Sequence, residues 1–239
     1  MTGPAQGTRR ETKRMATGDG PLTDGAATLA ESLFELLTEA ILSGEIPLGS
    51  KISEPMLAQK YNVSRGPLRE ALHRLQGRQL ITRSANQGAR VVEATPETLG
   101  WLFELREVVE GMTARLAAAN MTDAQRAALL AVMEQHETNV AGLRPGTVPA
   151  LGASDRDFHF LIAEASGNPM LVHLLFTDLH PLMRLYRRRY ENIESSRRAA
   201  KEHRRVVDAI LDRDPEMAEM MMRRHISSAK ARRLKAMEG

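Results

Sequence analysis

Apolar positions recur with helical spacing along most of the chain, and the first such pattern predicts a helix from about Thr28 to Leu42. Ser43 and Gly44 end this pattern. After a connector rich in turn residues, a short helix is predicted from Glu54 to Lys60. The apolar positions of the first helix are Leu29, Leu33, Leu36, Leu37, Ala40 and Ile41.

A tight turn and a further helix follow. Asn62 is predicted in the turn because asparagine tolerates the left-handed conformation. Ser64 is predicted to cap the next helix, which continues to about Gln76, with its side-chain oxygen accepting from the first-turn amides. Strand-like runs at 80–83 and 89–92 are separated by SANQG, in which Gly88 supplies turn freedom, so a hairpin is expected. These elements form a predicted domain over residues 26–93.

From Thr98 onward the pattern is helical throughout. Six helices are predicted, beginning at Thr98, Asp123, Ser154, Met170, Ser195 and Pro215. Along the first of them a single apolar stripe is expected at Leu102, Leu105, Val109, Met112 and Leu116. The second domain, residues 97–239, is therefore predicted to be an antiparallel all-α bundle, and residues 1–25 a disordered tail.

Composition agrees with a mainly α protein. Of the 239 residues, 42% are apolar but only 4% are aromatic. The absence of cysteine excludes disulfides and thiolate metal sites and is typical of the cytoplasm. No run approaches the roughly 18 apolar residues that a membrane span needs. The net charge of +3 is only a weak indication of an anionic partner.

The predicted helix that begins at Ser64 has the layout of a DNA-reading helix. Arg65, Arg69 and His73 share one side with Gln76, and a neighbouring, mostly apolar arc (Leu68, Ala71, Leu72, Leu75 and Gln79) can pack on the earlier helices. Arginine donates twice to guanine in the major groove, and first-turn amides favour a phosphate. With the short helix before it, this is a helix-turn-helix, and the hairpin carrying Arg83 and Arg90 is a wing. The alternative is an ordinary amphipathic helix with solvated arginines.

Four residues of the second domain have the spacing of a metal site. Asp155 and His159 are four residues apart and lie on one helix face. His203 and His225 are equally distant from Asp214, where DRDPE breaks the helix, so an antiparallel hairpin brings them level. Such a set suits zinc, nickel or manganese. The alternative assigns Asp155 to the helix dipole and the histidines to the surface. The other histidines, His136, His173 and His180, have no such partner arrangement.

The first domain resembles a known family. The segment ILSGEIPLGSKISEPMLAQKYNVSRGPLREALHRLQGRQLITRSANQGARVV is similar to the winged helix-turn-helix of the GntR family of bacterial transcription regulators, and VSRGPLREAL is its most specific part. The resemblance implies that Arg65 and Arg69 contact bases or adjacent phosphates, that Ser64 reaches the backbone and that Gly88 shapes the wing tip. Pro55 departs from the pattern, since many relatives have an arginine there.

The second domain resembles the all-helical effector domain (FCD) of the FadR subgroup of this family. The matching segments are LFELREVVEG, SDRDFHFLIAEASGNPML, EHRRVVDAILDRDPEMA and RRHI. The resemblance implies a divalent metal held by Asp155, His159, His203 and His225. It also implies an effector contact by Arg106. Asn168 is a weaker candidate, because SGNP breaks the helix and a turn role is favoured for this residue.

The resemblance implies a homodimeric repressor that binds a palindromic site on double-stranded DNA and is released by a small carboxylic acid. One alternative is a metal-dependent enzyme acting on small organic acids, although no further acid–base residue is identifiable beside the four ligands. A DNA-binding architectural protein without a ligand is the other alternative.

Overall fold

The computed structural model describes residues 26–84, 88–144, 152–190 and 193–238. The predicted tail of residues 1–25 and the wing tip at 85–87 lie outside these ranges.

The N-terminal domain has three helices and a small antiparallel sheet. Helices α1 (Ala26–Ser43), α2 (Glu54–Lys60) and α3 (Arg65–Gly77) surround an apolar core, with α1 packed against α3. Its fully buried side chains include Leu33, Leu37, Ile41, Leu68, Leu72 and Leu75. Asn62 has φ 50°, so the predicted left-handed turn between α2 and α3 is confirmed.

Three strands form the wing sheet in the order β1-β3-β2: β1 (Lys51–Ile52), β2 (Ile81–Ser84) and β3 (Gly88–Val91). In the β2–β3 hairpin, Ser84 is opposite Gly88 and Ile81 is opposite Val91. Gly88 has φ +77°, a conformation that glycine adopts without strain. Strand β1 was not predicted from sequence because two residues are too few to show alternation.

The C-terminal domain is a bundle of helices. Its α-helices are α4 (Pro96–Asn120), α5 (Asp123–Ala141), α6 (Gly152–Ala165), α7 (Pro169–His173), α8 (His180–Tyr190), α9 (Ile193–Leu211) and α10 (Pro215–Glu238). Helix α10 packs extensively on α4 and α9, and α5 packs on α6 and α9. Capping boxes at Thr95 and Thr122 fix the starts of α4 and α5. The prediction of a mainly α protein, a winged helix-turn-helix followed by an all-α bundle, is confirmed.

The third helix predicted in the second domain, α6, begins earlier than expected. It was predicted to open at Ser154, but α6 starts at Gly152, so Ser154 lies within the helix. The side chain of Ser154 is outside the described part of the chain.

The predicted helix from Met170 to Tyr190 is not a uniform α-helix. Residues Leu174–Leu179 form a π-helical segment between α7 and α8. Pro181 explains the change, since its nitrogen cannot donate to the carbonyl four residues earlier and its ring would crowd that carbonyl. We call Leu174–Leu179 the π segment.

Helix α4 has two apolar faces rather than the single predicted stripe. Leu102 and Val109 are buried, but Leu105 and Met112 are exposed. They share an exposed row with Trp101 and Val108, while other positions of α4 pack against α10. Gly111 allows close contact there, because a Cβ at this position would lie 2.8 Å from Cγ of Arg223.

Candidate metal centre and nucleic-acid interface

Helix α3 presents its predicted DNA-binding side chains to solvent. Arg65, Arg69 and His73 are exposed, while Leu68 and Leu72 are buried. Ser64 occupies the N-cap position, but its hydroxyl makes no capping hydrogen bond, so the predicted capping role is wrong. The Ser64 backbone alone, extended at φ −73° and ψ 165°, turns the chain into the helix, and Ser64 remains exposed.

An acidic residue connects the helix with the wing. Glu54, the first residue of α2, lies 3.3 Å from Nε of Arg69 and 3.2 Å from Nη2 of Arg83. Ion pairs this exposed contribute about 0–1 kcal/mol, so they orient the arginines without preventing them from contacting phosphate or base. Arg90 donates to the Gly49 carbonyl oxygen at 2.8 Å.

In the second domain, the side chains of the four residues predicted as metal ligands lie close together. Asp155 and His159 are on α6, and His203 and His225 are on α9 and α10. The three histidines are buried, and one ring nitrogen from each lies within 4.8 Å of the others. Oδ1 of Asp155 is 3.6 Å from Nε2 of His203 and 3.9 Å from Nε2 of His159.

The donor set and its spacing fit a divalent transition-metal ion. The Nε2 atoms of His203 and His225 are 3.0 Å apart. Two nitrogen ligands at about 2.1 Å from one ion, at right angles to each other, are also about 3.0 Å apart. Burial lowers the pKa of His203 well below its usual value, and the neighbouring His225 lowers it further. His203 therefore remains in the neutral form that binds a metal.

Two carboxylates lie behind the histidines, and the sequence had not identified them. Oε2 of Glu110 is 2.6 Å from Nδ1 of His159, and Oε2 of Glu202 is 2.8 Å from Nδ1 of His225. No further acid–base residue was identifiable beside the four ligands from sequence, and the structure places two there. Both carboxylates contact the ring nitrogen opposite Nε2, as carboxylates that orient metal-binding histidines do.

Each of these carboxylates is paired with an arginine. Arg106 Nε donates to Glu110 at 2.6 Å, and Arg232 donates to Glu202 at 2.7 and 2.9 Å. Burial would raise the pKa of Glu110, but Arg106 and His159 outweigh it and hold the pKa at about 2. Burial would also raise the pKa of Glu202, but the hydrogen bonds from His225 and Arg232 hold it at about 2. Both carboxylates are thus ionised at neutral pH.

Aromatic contacts hold the ring of His203 in place. The ring of Phe158 stacks on that of His203 with centroids 4.1 Å apart, and the ring of His136 is 5.2 Å away. His136 is buried beside the site, and His180 also lines the adjacent cavity, although sequence spacing gave neither a role. His173 is exposed.

A small basic cavity is lined by three of the four predicted ligands, Asp155, His159 and His225. Its volume is about 70 Å³, and five arginines line it: Arg106, Arg156, Arg184, Arg232 and Arg233. Arg106 therefore lies where it was predicted, although its Nε is bound to Glu110. Asn168 does not line this cavity; its side chain caps α7 by accepting from the amides of Met170 and Leu171. Of the two roles considered for Asn168, the structure shows the one at the helix break, as the cap of α7.

Comparison with known proteins identifies the family. The family model for bacterial regulatory proteins of the gntR family matches residues 29–91, and the FCD domain model matches residues 101–228. The chain belongs to the GntR family. It is therefore a DNA-binding transcription regulator with an FCD domain, not an enzyme.

Several curated relatives resemble this GntR regulator along most of its length. The Nta operon transcriptional regulator of Aminobacter aminovorans is 34% identical over 181 residues, covering 74% of this chain and 81% of the relative. The Glc operon transcriptional activator of Escherichia coli (strain K12) is 27% identical over 229 residues, covering 87% and 90%. The transcriptional repressor NanR of Citrobacter rodentium is 28% identical over 228 residues, covering 85% and 84%.

Solved structures share the fold. E. coli McbR/YncC superposes with a TM-score of 0.68 at 20% identity, covering 88% of this GntR chain and 99% of that chain. A GntR transcriptional regulator from Rhodococcus sp. RHA1 gives a TM-score of 0.62 at 22% identity, covering 86% and 97%.

Within the described residues, no helix combines the length and the apolarity needed to cross a membrane.

Proposed function

We propose that this regulator is a metal-dependent repressor whose operator complex is released by a small carboxylic acid. The observation that carries the proposal is the convergence of Asp155, His159, His203 and His225 beside a cavity rich in arginine. The ion would be held by these four residues, and zinc, nickel or manganese suits them. When bound, it would supply a Lewis-acidic position for an oxygen atom of the ligand.

The cavity favours a small anion. Its volume of about 70 Å³ is well below the roughly 300–1,000 Å³ of pockets for drug-sized ligands. Arginine binds carboxylate with paired hydrogen bonds, and Arg106 and Arg232 both line the cavity. A carboxylic acid of a few carbon atoms combines the required size and charge.

Two contacts support a route from the cavity to the DNA-binding domain. Phe176 of the π segment lines the cavity, and Asp178 of the same segment forms an ion pair with Arg78, which directly follows α3. Arg184 lines the cavity and also pairs with Glu39 of α1 at 3.2 Å. An anion that attracts Arg184 would compete with Glu39. The resulting change in operator affinity can be no larger than the ligand's difference in affinity between the two arrangements.

A second copy of the chain is the proposed partner. The exposed apolar row on α4 consists of Trp101, Leu105, Val108 and Met112, with exposed fractions of 66%, 42%, 55% and 39%. A contiguous apolar row of this kind is typical of an interaction surface. Packing two such rows around a twofold axis would give a self-complementary interface and would match a palindromic operator, with Arg65 and Arg69 reading each half.

The relatives regulate transcription in both directions. Among the relatives, NanR is named a repressor and the Glc operon protein an activator. We assign repression, with relief by the acid. Transcription in vitro from a promoter that contains the operator tests this assignment: added protein should reduce transcript, and the acid should restore it. Transcript that rises with added protein would reverse the assignment.

DNA recognition is tested on duplexes selected from a random pool by the purified regulator. Arg65→Ala should weaken binding to the selected duplex, whereas Arg198→Ala, which removes an exposed arginine of α9 paired with Glu194, should not. Equal losses in the two variants would mean that only net charge matters and that α3 does not read the sequence.

Metal binding is tested by elemental analysis of the purified protein. The double variant His203→Ala/His225→Ala should lose the ion, whereas the control His73→Ala/His173→Ala, which removes two exposed histidines, should keep it. Full occupancy in the first variant would contradict the site. The acid is then sought by thermal-shift screening of metal-loaded protein, because a ligand that prefers the native state raises the melting temperature.

A further inference from the structure

We propose that Lys51 and Arg90 each bind one backbone phosphate of the DNA, from the face of the wing sheet opposite to the one that carries Arg83. Lys51 belongs to β1, the strand that the sequence pattern did not reveal. The inference uses the DNA-binding function of the family and does not depend on the proposed metal, acid or dimer.

The wing sheet has two different faces. Side chains alternate between the faces along a strand, and residues opposite each other in paired strands share a face. Ile52 and Ala89 are opposite each other and buried, so they mark the inner face. Lys51 and Arg90, the next pair along the same two strands, are both exposed. They therefore share the outer face.

Arg83 is on the other side of the sheet. It is opposite Ala89 in the β2–β3 hairpin, so its side chain leaves the sheet on the inner side, where it pairs with Glu54 of α2 at 3.2 Å. The two arginines of the wing thus belong to different surfaces. Arg83 lies beside the helix-turn-helix, whereas Arg90 shares the outer face with Lys51.

The outer face holds two cations that are not paired with any carboxylate of the described residues. Lys51 makes no hydrogen bond or ion pair within that part of the chain, and Arg90 donates to the backbone oxygen of Gly49. Like charges directly opposite each other destabilise a sheet. A bound anion would remove this cost, and DNA is the polyanion that this family binds.

The side chains of Lys51 and Arg90 extend in opposite directions along the sheet. Cε of Lys51 lies beside Gly88 at the wing tip, since a Cβ on this glycine would be 3.8 Å from it. Nη1 of Arg90 is 2.8 Å from the oxygen of Gly49, whose amide donates to Val92 at the other end of β3. The two charges are therefore placed for two separate phosphates rather than for a shared one.

The experiment measures how DNA binding by the full chain depends on salt, using fluorescence anisotropy. The duplex selected from a random pool is compared with one of the same composition in scrambled order. Lys51→Gln and Arg90→Gln should each reduce the slope of log affinity against log salt by about 0.9, and the double variant should reduce it by about 1.8. Phosphate contacts carry no sequence information, so each single variant should lose about eightfold in affinity near 0.1 M salt on both duplexes.

Two controls separate a phosphate contact from a change in net charge. Lys51→Arg keeps the charge and should keep the wild-type slope, and Lys201→Gln, which removes the charge of an exposed lysine on α9, should keep it too. A slope in Lys51→Gln equal to that of Lys201→Gln would overturn the proposal. A loss confined to the selected duplex would indicate a base contact, and a double variant no weaker than the single ones would indicate a shared phosphate. Either result refutes the assignment of one phosphate to each residue.

Discussion

Replacement of Arg106 by methionine should destabilise the protein strongly. The side chains of Arg106 and Glu110 are only 5% and 3% exposed and are joined at 2.6 Å. Methionine fills a similar volume but leaves the Glu110 charge buried with its contact to His159. Removing one partner of a buried ion pair costs about 3–5 kcal/mol. For a protein of this size, each kcal/mol corresponds to about 2–4 °C, so the melting temperature should fall by about 10 °C.

Urea unfolding followed by circular dichroism, with a chelator present, measures this cost without a contribution from metal. The matched control is Arg204→Met, which breaks the pair with Glu137, where the side chains are 31% and 41% exposed. Its cost should be at most about 1 kcal/mol. Arg106→Met/Glu110→Leu should recover most of the lost stability, because no buried charge remains. A cost for Arg106→Met within about 1 kcal/mol of the control would refute the reasoning.

The same variants separate stability from metal binding. Arg106→Met/Glu110→Leu lacks the carboxylate behind His159, so its Zn²⁺ affinity should stay low although its stability returns. Recovery of both properties together would mean that Glu110 acts on the site only through the stability of the fold.

Three further predictions concern the other surfaces. Glu54→Gln should strengthen binding to the selected operator, because Arg69 and Arg83 lose an acidic competitor, whereas Arg69→Ala should weaken it by about 1–3 kcal/mol. Fluorescence anisotropy measures both affinities, and unchanged values would contradict the role assigned to these arginines. Trp101→Glu should convert the proposed dimer to a monomer in analytical ultracentrifugation, since a charge would be buried in the interface. A persistent dimer would exclude this face. Asp178→Asn should change the unfolding free energy by less than about 1 kcal/mol but reduce the effect of the acid on operator affinity by up to about fivefold. An unchanged response to the acid would show that the Arg78–Asp178 pair does not couple the cavity to the DNA-binding domain.

Helical periodicity and chain breaks predicted most of the elements and the alignment of His203 with His225, whereas the family resemblance was needed to assign all four ligands to one ion. His203 and His225 lie level because the chain reverses at Asp214, which is midway between them, and that symmetry is visible in the sequence. The rotation of each helix about its own axis is not visible there. For this reason the single stripe predicted on α4 was wrong for Leu105 and Met112, which lie on the exposed face.

The carboxylates behind the histidines show the same limit. Arg106 and Glu110 are four residues apart, and that spacing could have indicated an ion pair. The position of Glu110 behind His159 depends on the packing of α4 against α6, which no local sequence pattern indicates. Glu202 directly precedes His203 in sequence but contacts His225 on the next helix. Ser64 was expected to cap a helix and does not, whereas Asn168 does cap one. Residue type alone therefore does not decide whether a polar side chain caps a helix.

Helix α4 is subject to several independent constraints along its 25 residues. One side supplies Arg106 and Glu110, another bears the exposed apolar row, and Gly111 sets how closely α10 can approach. Few of its positions are therefore free to vary without loss of ligand response, assembly or packing. In a systematic substitution library scored for regulation, α4 should tolerate the fewest changes per residue among the long helices, and the exposed outer positions of α5 should tolerate many more.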